Sequence, residues 1–189
     1  MIMRFAFIYL GLVLVFGSCS ENQKANRELS IYFSLDSLLD QQIKLLSDGN
    51  FVLEKEVRMD GKTESQQIHH DTSGWQTELA ILRDFDLNEA YNVGAYETDK
   101  RKGSVIYRLA DQTLDAPVKL FKVVRSEDQL EISGLYVEDK SIYQHQREFL
   151  LTLKGGRLNF FEVSGYQKML LKDTMSFRIT GEVITDPSH

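Results

Sequence analysis

Two periods of apolar residues divide the chain. Over residues 29–50, Leu35, Leu38, Leu39, Ile43, Leu45 and Leu46 recur at helical spacing and form one stripe. The spacing predicts a helix over about 35–48. Ser34 fits as its N-cap, Asp36 is favourable in its first turn, and Gly49 stands where a C′ glycine ends a helix. From Phe51 the period becomes two. Phe51, Leu53, Val57 and Met59 alternate with Val52, Glu54, Glu56 and Arg58. Asp60-Gly61 is a hairpin turn signal, and Lys62 to His69 returns as a strongly polar partner strand.

Ser73 followed by Gln76 has the form of a capping box, and Trp75, Leu79 and Leu82 then fall on one helical face. A short helix is expected over about 74–84, then a loop to Asn92 with Phe85 and Leu87 turned inward. The remainder reads as strands at about 94–99, 104–110, 118–125, 129–138, 142–153, 158–169 and 175–184, separated by short polar turns such as Lys102-Gly103 and Gly155-Gly156. Short turns force antiparallel neighbours. The expected fold is α+β: an antiparallel meander of seven strands plus the early hairpin, with one or two N-terminal helices packed on it.

Parts of the late strands are apolar on consecutive residues, as at Phe149-Leu150-Leu151 and at Leu158 with Phe160-Phe161. A strongly curved sheet or half-barrel buries more of both faces than a flat one. Gly134, Gly165 and Gly181 interrupt strands where such a sheet bends.

The first residues have a different pattern. Arg4 precedes an apolar run from Phe5 to Phe16, followed by Gly17, Ser18 and the sole cysteine, Cys19. This is the form of a secretory signal peptide, and the run is shorter than the ~20 residues that span a bilayer. Phe16-Gly17-Ser18-Cys19 resembles the lipobox of bacterial lipoproteins, with small residues at the two places before the cysteine and Phe16 where that family usually has Leu. The resemblance covers about a tenth of the chain. It implies cleavage before Cys19, a diacylglycerol on its thiol, and a membrane partner held through that lipid. Ser20 after the cysteine, rather than Asp, implies the outer membrane. The expected organisation is a signal peptide at 1–18, a lipidated polar tether at 19–28 reaching at most about 30 Å, one domain at 29–185, and a tail at 186–189.

Charge narrows the partners. With 22 Lys+Arg against 28 Asp+Glu the formal net charge is −6, and nucleic acid is excluded as a partner because it requires a basic face. One cysteine excludes an intrachain disulfide.

Candidate chemistry is sparse, and no cofactor is expected. His69-His70-Asp71 is the only local cluster of metal-capable residues, but neighbours on a strand point to opposite faces. Glu54 and Glu56 share a strand face and His145 lies mid-domain, which is the most an envelope hydrolase of glycan or ester could use. No nucleophile elbow accompanies them. The aromatics Tyr136, Tyr143, Phe160, Phe161 and Tyr166 fall on three consecutive strands. Tyr136, Tyr143, Phe160 and Tyr166 are the candidate ligand-binding residues, able to line the concave side of a curved sheet and to cradle a lipid, a glycan or a peptide. The expectation is a lipid-anchored, non-enzymatic binding or assembly module of the cell envelope, with a lipid, glycan or protein partner. In outline it is similar to the lipoprotein-insertion proteins of the outer membrane. The alternative is the hydrolase.

Overall fold

A computed structural model of the protein describes residues 31–186. The expected signal peptide, Cys19 and the tether to residue 28 lie outside the described residues. The first helix, α1, is Leu35–Asp48. Ser34 caps it, its Oγ accepting the Ser37 N–H at 3.2 Å. Gly49 does not take the left-handed C′ conformation that its position suggests; its backbone is extended, with φ −107°. What it supplies is room, because a Cβ there would lie 2.1 Å from the Phe51 ring.

Strands β1 (Phe51–Met59) and β2 (Lys62–His69) form the expected hairpin. Asp60 and Gly61 both have positive φ, 48° and 80°, as a twist-matched two-residue turn requires. The second helix, α2, is Thr72–Arg83 and starts two residues before the expected position. Its cap is Asp71, whose Oδ1 accepts the Gly74 N–H at 2.7 Å. The carboxylate makes a charge-assisted bond to that amide and starts the helix two residues before a cap at Ser73 would. A 3₁₀ turn at Ala90–Asn92 leads into β3 (Tyr96–Arg101). The chain continues through β4 (Ser104–Leu109), β5 (Val118–Arg125), β6 (Gln129–Lys140), β7 (Tyr143–Lys154), β8 (Arg157–Met169) and β9 (Met175–Thr185).

All nine strands join one antiparallel sheet, in the order β2-β1-β9-β8-β7-β6-β5-β4-β3. The meander runs from β3 to β9, and β1 then closes onto β9, bringing the early hairpin to the far edge. The sheet curls without closing into a barrel. Its open edges are β2 and β3. Every position of β2 except Ile68 is exposed, and its Lys, Glu and Gln side chains keep that edge from recruiting another strand.

Both helices lie on one face. Trp75, Leu79 and Leu82 of α2 and Leu35, Leu39 and Leu46 of α1 are fully buried against Phe121, Phe149, Leu151, Phe161 and Val163 of the sheet. Phe85 and Leu87 join them, as the sequence suggests. The strand glycines make room for rings: Gly134 pairs with Phe149 and Gly181 with Phe161, and Cβ atoms there would approach those rings to 2.6 and 2.3 Å. Polar contacts fix the helices in register. Buried Gln42 donates to the Gly156 carbonyl and accepts the Leu158 N–H at 2.7 Å. Arg83 binds Asp36 and Asp40 across the helix pair, and Lys55 of β1 reaches Glu78 of α2 at 2.6 Å.

Candidate functional site

Strand register decides which side chains share a face. Tyr136 pairs with Arg147, Glu138 with His145 and Lys140 with Tyr143, so all six project on the helix-bearing side, in line with Phe149 and Leu151. Burial falls along this face past the Tyr136–Arg147 pair. Arg147 is 7% exposed, His145 and Tyr143 are intermediate, and Met59, Met169 and Met175 are exposed. Met59 pairs with Phe177, Met175 with Gln167 and Met169 with Tyr143, which puts these side chains on the same face. The uncovered end of the sheet is thus a strip of methionine and aromatic side chains beside a polar cluster.

Arg147 organises that cluster. Its Nη1 donates to Asp84, the residue capping α2, at 2.7 Å. Its guanidinium lies 4.2 Å over the Tyr136 ring and 5.6 Å from Phe85, and Phe85 meets Tyr136 edge-on at 5.8 Å. The charge faces the C-terminal end of α2, where a cation is favourable and Asp84 alone is not. Burial, then hydrogen bonding and charge from Glu138, push the Tyr136 hydroxyl up to about 12. Burial, then the charge of Arg147, hold the His145 imidazole below its ordinary value.

The raised Tyr136 works against a phenolate base or nucleophile, whereas the lowered His145 favours the neutral imidazole, the form that can accept a proton. The cluster supplies a phenol donor, an imidazole and a pinned cation beside an apolar surface.

The candidate ligand-binding aromatics do not converge on one concavity. Tyr136 and Tyr143 sit on the helix-bearing face. Phe160 pairs with Thr152 and Tyr166 with Gln146, on the opposite face. Phe161 is fully buried in the core. Phe160 borders an open hollow of about 520 Å³ on the outer face, together with Glu54, Glu56, Gln67 and Glu182. Glu54 accepts from Gln67 at 2.6 Å and Glu56 from Arg58 at 2.7 Å. The sheet therefore separates this acidic pair from His145, so the two starting points for a hydrolase lie on opposite faces. His69 and His70 also diverge, His69 toward Asp186 at 3.5 Å and His70 onto Trp75 and Glu78.

Sequence reasoning missed Arg147, Asp84 and Glu138. Counting back by twos from Leu151 and Phe149 places Arg147 on the inner face, where a charge is uncommon. No protein-family model, curated protein or solved structure matches the chain.

Proposed function

We propose that this chain is a lipid-anchored protein of the cell envelope, held on the outer membrane through Cys19. Its folded domain acts as a non-enzymatic binding or assembly module and works by surface contact with a lipid, a lipoprotein or another envelope protein. One observation carries this reading: the space between helices and sheet is filled by side chains such as Trp75, Phe85, Phe121 and Phe161, while exposed apolar side chains gather at one end of the sheet. A lipid carrier that swallows its ligand needs an open apolar cavity of roughly 300 Å³ or more. The outer hollow is large enough but is polar and shallow, lined by carboxylates and amides. A more apolar hollow of about 350 Å³, bordered by Ile142, Tyr143, Met169 and Leu170, opens at the surface between the β6–β7 and β8–β9 turns, and it supports contact at that end of the sheet.

The test is the native amino terminus. Protein extracted from membranes should begin at Cys19 and carry acyl mass, and Cys19→Ala should remain unprocessed or leave the membrane. Normal processing and membrane retention of Cys19→Ala would remove the anchor from the reading. A hydrolytic activity abolished by His145→Gln would remove the non-enzymatic assignment.

A further inference from the structure

Exposed apolar side chains are segregated with respect to the ends of the strands. The connections β1–β2, β4–β5, β6–β7 and β8–β9 all lie at one end of the antiparallel sheet, which follows from its strand order. Ile142 is in the β6–β7 turn, Leu170 and Leu171 in the β8–β9 turn, Leu114 in the β4–β5 connection, and Val93 just before β3. All five are exposed. The two central turns touch, the Leu170 N–H donating to the Ile142 carbonyl at 2.9 Å. Met59, Met169 and Met175 continue the surface onto the strand ends. Apart from Leu45 on α1, every large apolar side chain exposed among the described residues lies at or within a few residues of this rim. The opposite rim, formed by the β3–β4, β5–β6 and β7–β8 turns, carries Arg101, Lys102, Arg125, Asp128, Lys154 and Arg157. These turns expose no large apolar side chain among the described residues; Leu45 of α1, three residues past the Gln42–Gly156 contact, is the exposed apolar residue near this rim.

The described chain begins at the same apolar rim. Tyr32 packs edge-on against Tyr96, the first residue of β3, at 5.4 Å, and its hydroxyl accepts the Tyr96 N–H. Ile31, exposed, stands at the rim where the preceding segment enters. From Cys19 to Ile31 the backbone can extend at most about 40 Å. The sheet is itself about 40 Å long, taking about 3.3 Å for each residue of β8. On the anchored reading, the apolar rim can approach the bilayer with the tether slack, whereas the charged rim could reach it only with the tether fully extended.

We propose that this rim is a bilayer-contact surface. Ile142, Leu170 and Leu171 enter the interfacial region of the membrane to which the chain is tethered, and fix the orientation of the domain upon it. The proposal rests on the anchored reading for its direction, whereas the surface itself stands on the exposure pattern. Asp115, Asp139 and Asp173 lie among the apolar turns with Lys140, Lys168 and Lys172, so the rim carries both signs, and Lys140 is paired with Asp115 at 2.8 Å. The contact is accordingly apolar and shallow, and it does not require anionic lipid.

The test uses the full mature lipidated chain in phosphatidylcholine vesicles. Because the sole cysteine is acylated, Leu171→Cys and Lys102→Cys each give a unique thiol for an environment-sensitive fluorophore. The label at 171 should be blue-shifted and quenched severalfold more by nitroxide-bearing lipid than the label at 102. Ile142→Ser with Leu170→Ser, in the chain labelled at 171, should reduce that quenching severalfold with an unchanged unfolding midpoint. A blue shift at 171 without lipid quenching would mean that a second copy or another protein covers the rim, and equal quenching at both positions would mean no orientation. Either result overturns the proposal. If the chain proves not to be acylated, the anchor reading fails separately, and flotation of the unacylated mature chain with vesicles decides the rim: recovery with the lipid layer that is lost in Ile142→Ser/Leu170→Ser supports it, and no recovery overturns it.

Discussion

Arg147 and Asp84 meet at 2.7 Å where the end of α2 crosses β7, and the guanidinium is sandwiched between that carboxylate and the Tyr136 ring. The two partners differ in environment. Arg147 is almost fully buried, and its Nε has no hydrogen-bond partner among the described residues, whereas the Asp84 side chain is 53% exposed. The consequences of removing each are therefore unequal. Asp84→Ala leaves a buried cation without its counter-charge. Arg147→Met leaves an exposed carboxylate that water solvates and keeps much of the packing stem. Asp84→Ala is expected to cost about 1–3 kcal/mol in urea unfolding, and Arg147→Met less. An Arg147→Met loss larger than that of Asp84→Ala would show that the cation–π stack, and not the ion pair, dominates the junction.

His145 gives this face a pH dependence of defined sign. Its folded-state pKa lies below the ordinary 6.5, because of burial first and the Arg147 charge second. Below pH 6.5 the unfolded chain takes up a proton that the folded chain resists. The stability contributed by the neutral imidazole is thus fully present above pH 6.5 and is lost as the pH falls from there to the folded value. His145→Gln should flatten the unfolding midpoint across that interval. A wild-type midpoint that rises on acidification from 7 to 6 would contradict the sign.

The strand glycines predict a graded response to added methyl groups. Gly165 pairs with Arg147, and a Cβ there would lie 2.1 Å from the Gln146 carbonyl oxygen, which is backbone. At Gly181 the near atoms belong to the Phe161 ring at 2.3 Å and to Leu53. A ring can tilt at modest cost, but a neighbouring strand moves only by breaking its ladder. Gly181→Ala should cost about 1–3 kcal/mol and Gly165→Ala more. Equal or reversed losses in chemical denaturation would show that the ring, locked in its cluster, is the less yielding neighbour.

How far these features could be read from the sequence depended on whether their cause was local. The stripe from Leu35 to Leu46 and the Asp60-Gly61 turn are set within a few residues of chain, and the structure has both where expected. The start of α2 differs because Asp71, two residues before Ser73, is also a good cap, and spacing alone does not rank the two. Phe160 was misassigned for a different reason. Strict alternation from Leu158 would place Phe160 on the same face, but Thr152 pairs with Phe160 and Leu153 with Leu158, so one extra residue bulges. Past the bulge Phe161 takes the core position and Phe160 turns outward. The β1–β9 pairing joins residues more than a hundred positions apart, and no short-range signal marks it. The contact site depends on that pairing, because it brings Met59 beside Phe177.

Leu171 offers the most direct separation of stability from function. It is 97% exposed and holds a left-handed backbone with φ 64°, a conformation that costs an ordinary L-residue about 1–2 kcal/mol. It makes no core contact that would offset this. Asparagine tolerates the same conformation through its short polar side chain. Leu171→Asn should therefore raise the urea midpoint, with a gain of about 0.5–1 kcal/mol, while Leu170→Asn, next to it and without positive φ, should leave it unchanged. A turn shaped by folding stability alone would carry Asn or Gly at 171. Leucine there projects an apolar side chain outward at a cost to the fold, and the expected signature is a variant that folds better and holds the rim to its partner less well. A Leu171→Asn protein with an unchanged midpoint would mean that the backbone at this position carries no strain, and the trade-off between fold and contact would then be absent.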